Sequence, residues 1–146
     1  MKIVVGCDHR GLDYKREVIK MVNRMGHAAE DFGAYTPEAV DYPDVARRVG
    51  QAVAANEFDF GILICGTGVG VSIAANKISG IRAALCCDNF MAGRARQHND
   101  ANILCLGAER GLEGVEEIVK TFLTTPFEGG RHQRRVDKMA QMDREC

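Results

Sequence analysis

The stretch from Phe58 to Lys77, FDFGILICGTGVGVSIAANK, constrains the fold of this chain more than any other part of the sequence. It begins with a nearly unbroken apolar run, which is typical of a strand buried on both faces of a sheet. The run ends at Cys65, the glycine-rich segment 66–70 follows, and residues 71–77 are suited to a helix. We therefore expect a strand, a tight turn and a helix in immediate succession.

The glycine-rich segment is suited to binding an anion. Its three glycines let the backbone turn tightly and leave N–H groups without side chains around them. The N-terminus of the following helix adds a partial positive charge, so we expect the segment to hold an anion or an oxyanion. Cys65 faces the same positive end, where a thiol ionises more easily than its ordinary pKa of ~8.5 implies.

The common nucleotide-binding loops do not match this spacing. The dinucleotide fingerprint requires a third glycine where Val71 and Ile73 stand, and the Gly-Lys-Ser/Thr of a phosphate-binding loop is missing. A thiol phosphatase would have an arginine six residues after Cys65, at the position of Val71. A turn used only for packing, with Cys65 as a buried core residue, stays open as an alternative.

Composition excludes several classes of protein. The 146 residues fit one domain, 1–146, and 19 basic against 20 acidic residues argue against a nucleic-acid partner. The sequence contains no apolar leader and no run long enough to span a membrane. Its six cysteines lie mostly in apolar runs, as in a reducing cytoplasm, and no CxxC or HxxxH pair indicates a metal site. We expect a cytoplasmic protein without a metal ion.

Apolar runs alternate with segments of helical period along the whole chain. This alternation predicts an α/β fold, a Rossmann-like three-layer α/β/α sandwich around a five-stranded parallel sheet. The predicted strands are 2–7, 28–32, 60–65, 81–87 and 102–106. The predicted helices are 11–25, 42–56, 71–77, 89–97, 113–124 and 131–142.

Ligands of such sheets bind beyond the carboxyl ends of the strands. Asp8 and His9 follow the first predicted strand, Cys65 ends the third, and Asp88 and Asn89 follow the fourth. We expect these side chains to converge at one edge of the sheet. His9 could bind phosphate there or only cap the next helix.

The last predicted helix differs from the others because it carries few apolar residues. We expect this C-terminal helix to pack on a partner subunit. Arg131 and Arg135 are four residues apart and share one face, where two guanidinium groups could clamp a phosphate dianion. A solvated basic helix end is the alternative.

Three motifs in this order, VGCDHRG, CGTGVGVSIAANK and RQHNDAN, resemble the ribose-5-phosphate isomerase B family. That family also contains galactose-6-phosphate and allose-6-phosphate isomerases, and the similarity covers nearly the whole chain. The resemblance implies aldose–ketose isomerisation of a sugar phosphate through an enediolate, without a metal ion or an organic cofactor. It also implies a homodimer or tetramer with active sites shared between subunits.

The resemblance implies a role for each matching residue. Cys65 would be the base, Thr67 would assist at the enediolate, and His98 would donate the proton that opens the sugar ring. The backbone amides of the loop would hold the enediolate oxygen, and other side chains would hold the sugar and its phosphate. The implied binding residues are Asp8, His9, Tyr42, Gly66, Gly68, Val69, Gly70, Ser72, Asn99, Arg131 and Arg135.

Two positions depart from the family pattern. Relatives often have an arginine two residues after the glycine that ends the fifth strand, whereas this chain has Glu109 there and Arg110 one residue later. Arg10 replaces the small residue that relatives usually have after the histidine of the first motif. Either change could shift substrate preference toward a six-carbon sugar phosphate or an unphosphorylated sugar, and contact of Arg110 with phosphate stays open.

The sequence therefore predicts an isomerase that interconverts ribose 5-phosphate and ribulose 5-phosphate. One alternative is an isomerase of allose 6-phosphate, galactose 6-phosphate or a free aldose. An alternative of another class is a noncatalytic sugar-phosphate-binding module on the same fold, since a fold alone does not determine function.

Overall fold

Five parallel strands form one sheet in the order β2-β1-β3-β5-β4 in the computed structural model, which describes residues 1–145. The strands are β1 (Lys2–Cys7), β2 (Ala28–Asp31), β3 (Phe60–Cys65), β4 (Ala83–Leu85) and β5 (Ile103–Gly107). The helices are α1 (Leu12–Arg24), α2 (Tyr42–Ala54), α3 (Val69–Ala75), α4 (Asn89–Asn99), α5 (Val115–Thr124) and α6 (Arg131–Glu145). The predicted α/β class and five-stranded parallel sheet are confirmed.

The central strand β3 is buried on both faces, as its apolar run predicts. Ile62 and Ile64 pack with helices α1, α4 and α5 on one face of the sheet. Leu63 and Cys65 pack with α2 and α3 on the other face. These two apolar cores make the sheet the middle layer of a three-layer sandwich, and they fix the position of Cys65 at the end of β3.

Several element boundaries differ from the predicted ones. Strand β4 is the shortest because Ile81 belongs to a turn, in which its N–H donates to the carbonyl of Ile78 at 3.1 Å. Helix α3 begins earlier than predicted, at Val69, since Gly68 has a φ of +81° and turns the chain directly into the helix. Helix α4 continues to Asn99, where Asp100 ends it in a left-handed conformation with φ +47°.

Helix α6 lies outside the two cores. Its buried side chains are His132 and Val136, and the N–H of Gly80 donates to the carboxylate of Asp143 at 2.8 Å. Most of its other side chains are exposed, among them Met142 at 63%. The sparse burial agrees with the low apolar content of this segment.

Within residues 1–145, no helix combines the length and the apolar character needed to cross a lipid bilayer.

Candidate active site

The loop that follows β3 wraps around the sulfur of Cys65. The N–H of Gly68 points at the Cys65 Sγ atom at 3.1 Å, and the N–H of Val69 donates to the hydroxyl oxygen of Thr67 at 3.2 Å. Both amides belong to the turn into helix α3, where backbone N–H groups have no partners inside the helix. The predicted arrangement of a thiol beside loop amides is therefore present.

Two glycines make this loop geometry possible. A Cβ atom on Gly68 would lie 2.6 Å from the Leu85 Cδ1 atom and 2.9 Å from the carbonyl carbon of Leu106. A Cβ atom on Gly70 would lie 2.8 Å from the ring of Tyr42. The loop can therefore lie against the end of β5 on one side and beneath Tyr42 on the other.

A pocket of about 340 Å³ lies at the carboxyl edge of the sheet, and we call it the Cys65 cavity. It is lined by Asp8, His9, Arg10, Val40, Asp41, Tyr42, Cys65, Gly66, Thr67 and Gly70. Cys65 is only 5% exposed, so its sulfur lies at the floor of the cavity. Of the predicted site residues, Asp8, His9, Tyr42, Cys65, Gly66, Thr67 and Gly70 thus meet there.

Hydrogen bonds from neighbouring loops orient Asp8 and His9. The Asp8 carboxylate accepts the N–H of Arg10 at 3.0 Å, so Asp8 caps the short 3₁₀ helix and His9 does not. The Nδ1 atom of His9 lies 3.2 Å from the backbone N–H of Val40 and 3.3 Å from the Val40 carbonyl oxygen. Val40 thus holds the His9 ring through Nδ1, and Nε2 is the ring nitrogen left for a ligand.

Sequence reasoning missed Val40 and Asp41 as cavity residues. They lie in the loop before α2, and nothing local in that segment indicates which strand end it covers. Gly68, Val69 and Ser72 belong to the same loop and helix, but the cavity lining within residues 1–145 does not include them. Their predicted roles in binding stay predictions.

Asp88 and Asn89 do not join the cavity, contrary to the expected convergence. The Asp88 carboxylate accepts the N–H of Met91 at 2.7 Å and caps helix α4. The Asn89 side chain accepts a hydrogen bond from the hydroxyl of Thr121 on α5. Both polar side chains thus serve the packing of helices.

His98 and Asn99 lie at the opposite edge of the sheet from Cys65. Helix α4 starts after β4 at the carboxyl edge and runs back for 11 residues, which corresponds to about 16 Å of helix. Asp100 then turns the chain towards β5, with its carboxylate 2.8 Å from the Nη1 atom of Arg96 and 3.3 Å from the Nη2 atom of Arg82. Within a single chain, His98 and Cys65 therefore lie at opposite edges of the sheet.

The start of α6 packs against the end of α4. The rings of His98 and His132 are stacked, with centroids 4.1 Å apart and planes at 11°. This contact places Arg131 and Arg135, both exposed, beside His98 and Asn99. The predicted site residues thus form two groups, one at each edge of the sheet.

The same region contains a possible metal-binding group. The ligand atoms of His98, Glu128 and His132 all lie within 4.8 Å of one another. Within this group the Nε2 atom of His132 lies 3.7 Å from the Oε2 atom of Glu128.

Burial makes the thiols of Cys7, Cys86 and Cys105 harder to ionise. Desolvation raises the pKa of Cys7 to about 11 and that of Cys86 to about 12. Complete burial also raises the pKa of Cys105. These three thiols are core residues, as the sequence suggested for most of the cysteines.

Arg110 lies outside the Cys65 cavity. It lines a different pocket of about 340 Å³, together with Tyr14, Cys86, Cys87 and Glu113. Burial raises the pKa of Tyr14, and the positive charge of Arg110 partly offsets this effect. Arg110 and the Cys65 cavity thus belong to different pockets of the chain, and contact of Arg110 with phosphate stays an untested question.

A parallel α/β/α sandwich with a cysteine beside an amide-lined loop defines a class of α/β enzymes that stabilise a negatively charged oxygen. A family model described as Ribose/Galactose Isomerase matches residues 3–139 of the chain. The chain belongs to this family and is an isomerase of it.

Similar proteins cover the chain from end to end. It is 47% identical to ribose-5-phosphate isomerase B of Escherichia coli strain K12 over 143 residues, which are 97% of this chain and 96% of that protein. The structure of Clostridium thermocellum ribose-5-phosphate isomerase B has a TM-score of 0.97 at 49% identity and 99% coverage of both chains. The Mycoplasma genitalium ribose-5-phosphate isomerase B structure with bound ribulose-5-phosphate has a TM-score of 0.94 at 42% identity, covering 99% of this chain and 97% of that one.

The substitution Gly68→Ala tests the loop geometry. The added Cβ would meet Leu85 and Leu106, so the amide that faces Cys65 must move. We expect isomerase turnover to fall about 100-fold, because the Cys65 thiolate loses the amide that faces it, and the loss of one charge-stabilising donor typically costs this much. Gly26→Ala is the matched control, because Gly26 has a similar φ of +86° but no atom within 4 Å of the added Cβ. An equal loss of turnover in both variants, measured at saturating substrate, would contradict this assignment.

The lowered pKa of His132 predicts that the folded protein becomes less stable in acid. Desolvation, followed by the charges of His98 and Arg131, lowers the pKa of His132 below its ordinary value of 6.5. The unfolded chain then binds a proton more readily than the folded chain, so the stability from neutral His132 is lost as pH falls through about 6.5.

The variant His132→Phe measures this effect, since phenylalanine keeps a flat ring against His98 but cannot ionise. We expect its free energy of unfolding in urea to fall less than that of the wild type between pH 7.5 and 5.5. Both proteins are compared at one protein concentration. Parallel pH dependences would show that protonation of His132 is not coupled to folding.

Proposed function

We propose that this enzyme interconverts ribose 5-phosphate and ribulose 5-phosphate through an enediolate, as one sugar-phosphate isomerase domain spanning residues 1–146. The observation that carries the proposal is the contact between the Cys65 Sγ atom and the Gly68 N–H at the floor of a polar cavity. The names of its relatives and the ribulose-5-phosphate bound to one of them support this substrate.

Cys65 is the base in this proposal. Its thiolate takes the proton from C2 of the open-chain aldose, which leaves an enediolate, and returns the proton to C1 to form the ketose. The reaction is slow in water because negative charge builds up on an oxygen atom. A preorganised amide donor stabilises that charge, and one such donor is typically worth ~3 kcal/mol.

Thr67 moves the second proton. Its hydroxyl oxygen already accepts the N–H of Val69 at 3.2 Å, so its own O–H is free to donate to an enediolate oxygen. The hydroxyl proton must pass from O2 to O1 during the reaction, and a side chain that both donates and accepts can relay it. The Ser72 hydroxyl and the amides of Gly66 and Gly70 complete the oxyanion-binding set, while the Val69 amide holds Thr67 in place.

The remaining cavity residues hold the sugar. The Asp8 carboxylate accepts sugar hydroxyls, Tyr42 covers the carbon chain, and His9 binds the phosphate through the Nε2 side of its ring. The proposal also includes a cytoplasmic location, which five free thiols among the described residues support.

The second group of residues must come from another copy of the chain. Since His98, Asn99, Arg131 and Arg135 lie at the far edge of the sheet, they reach a substrate on Cys65 only from a partner subunit. His98 then opens the sugar ring, Asn99 holds a hydroxyl, and the two arginines bind the phosphate. Exposed apolar side chains beside the loop, Val69 at 47% and Ile73 at 58%, offer a surface for that partner.

A substrate panel tests the proposed reaction. We expect kcat/KM for ribose 5-phosphate to exceed that for allose 6-phosphate, galactose 6-phosphate and free ribose at least tenfold in a coupled assay. A higher value for a hexose phosphate or a free sugar would replace the proposed substrate. Tight binding of ribose 5-phosphate without turnover would indicate a binding module instead.

Mixed dimers test the sharing of active sites. A dimer with Cys65→Ala on one chain and His98→Asn on the other has one intact site of two, if each site combines both chains. We expect such dimers, isolated with two affinity tags, to have about half of the wild-type rate. The homodimer of either variant should have nearly none.

The matched control places both substitutions on one chain and pairs it with a wild-type chain. If the sites are shared, one site of this dimer lacks Cys65 and the other lacks His98, so this dimer should be inactive. The reverse pattern, with activity only in the control dimer, would show that each chain contains a complete site.

A further inference from the structure

The two positions that depart from the family pattern contact each other at the rim of the Cys65 cavity. The Nη1 atom of Arg10 lies 3.1 Å from the Oε1 atom of Glu109, although the two residues are 99 positions apart in sequence. Glu109 is itself fixed to the loop, because its backbone N–H donates to the Gly66 carbonyl at 2.9 Å. The ion pair therefore joins the ends of three strands.

This ion pair has little value for stability. The Arg10 and Glu109 side chains are 63% and 57% exposed, and pairs with that exposure typically contribute about 0–1 kcal/mol. Its position is more informative. A Cβ atom on Gly66, the residue after Cys65, would lie 2.8 Å from the Glu109 Oε1 atom and 3.4 Å from the Arg10 Cδ atom. The pair thus lies directly above the loop that holds the thiol.

Arg10 is also the source of positive charge in this cavity. Among the lining residues within 1–145, Asp8 and Asp41 carry negative charge and Arg10 is the one lysine or arginine. Two carboxylates would repel a phosphate dianion that enters beside them. A guanidinium group has five N–H donors in a planar fork, and the contact with Glu109 uses one nitrogen. The remaining donors can bind phosphate oxygens in pairs.

We propose that Arg10, held in position by Glu109, binds the phosphate of the substrate together with His9 and the arginines of the partner subunit, and so adds to the preference of this chain for phosphorylated sugars. The reacting carbons lie at the cavity floor beside Cys65, and the phosphate lies at the rim, where Arg10 is exposed. Glu109 competes with the phosphate for the guanidinium group and so limits the affinity. This inference rests on the proposed function for the identity of the anion.

Binding of inorganic phosphate tests the inference without turnover. We expect Arg10→Ala to raise the dissociation constant of phosphate about tenfold in calorimetry at fixed ionic strength. Glu109→Gln keeps an acceptor for Arg10 but removes the negative charge, so it should bind phosphate more tightly than the wild type. Arg24→Ala is the control, since Arg24 forms an equally exposed pair with Glu116 at 3.3 Å on another surface, and it should leave the constant unchanged.

Kinetics complete the test. Arg10→Ala should raise KM for ribose 5-phosphate about tenfold, with kcat within threefold, because the contact is made by ground state and transition state alike. A phosphate dissociation constant of Arg10→Ala within twofold of the wild type, or a loss equal to that of Arg24→Ala, overturns the inference. If the wild type fails to isomerise ribose 5-phosphate but Arg10→Ala still loses phosphate affinity, the proposed function fails and the anion site stands.

Discussion

The candidate active site depends on the contact between the Cys65 sulfur and the Gly68 backbone amide. Strand β3 is buried on both faces, so its last residue, Cys65, cannot shift, and the loop after it places the Gly68 N–H 3.1 Å from the sulfur. Gly107 at the end of β5 secures the other side, because a Cβ atom there would lie 2.6 Å from the Thr67 carbonyl oxygen. The reactive group and its oxyanion donors are therefore properties of the sheet, which makes them rigid before any substrate binds.

The same sheet separates the proposed catalytic residues. A helix that follows a parallel strand must return to the opposite edge, so α4 carries His98 and Asn99 away from the carboxyl edge where Cys65 lies. Under the proposed mechanism, one chain supplies proton transfer between carbons, and a second chain supplies ring opening and phosphate binding. Assembly and activity are then coupled, and α6, which buries little within its own chain, is the element that connects them.

The parts of the fold and site that follow from local sequence could be predicted, and the parts that follow from sheet order could not. The β3–loop–α3 unit is contiguous, so its apolar run and glycines predict that Cys65, Thr67 and Gly70 lie together, and they line one cavity. The pairing of Arg10 with Glu109 requires β1, β3 and β5 to be neighbours, an order that no local pattern contains. The expected convergence of Asp88 with the cavity was wrong for the same reason, since β4 lies at the edge of the sheet beyond β5.

Alkylation of individual cysteines tests the central claim most directly. Cys105 is an internal control, because it packs in the same core as Cys65 but is completely buried, and burial raises its pKa. Iodoacetamide at pH 8, followed by peptide mass spectrometry, should modify Cys65 much faster than Cys105. Saturating ribose 5-phosphate should slow the modification, and turnover should fall in step with it. Equal rates for the two thiols, or full turnover after complete modification of Cys65, would contradict the account.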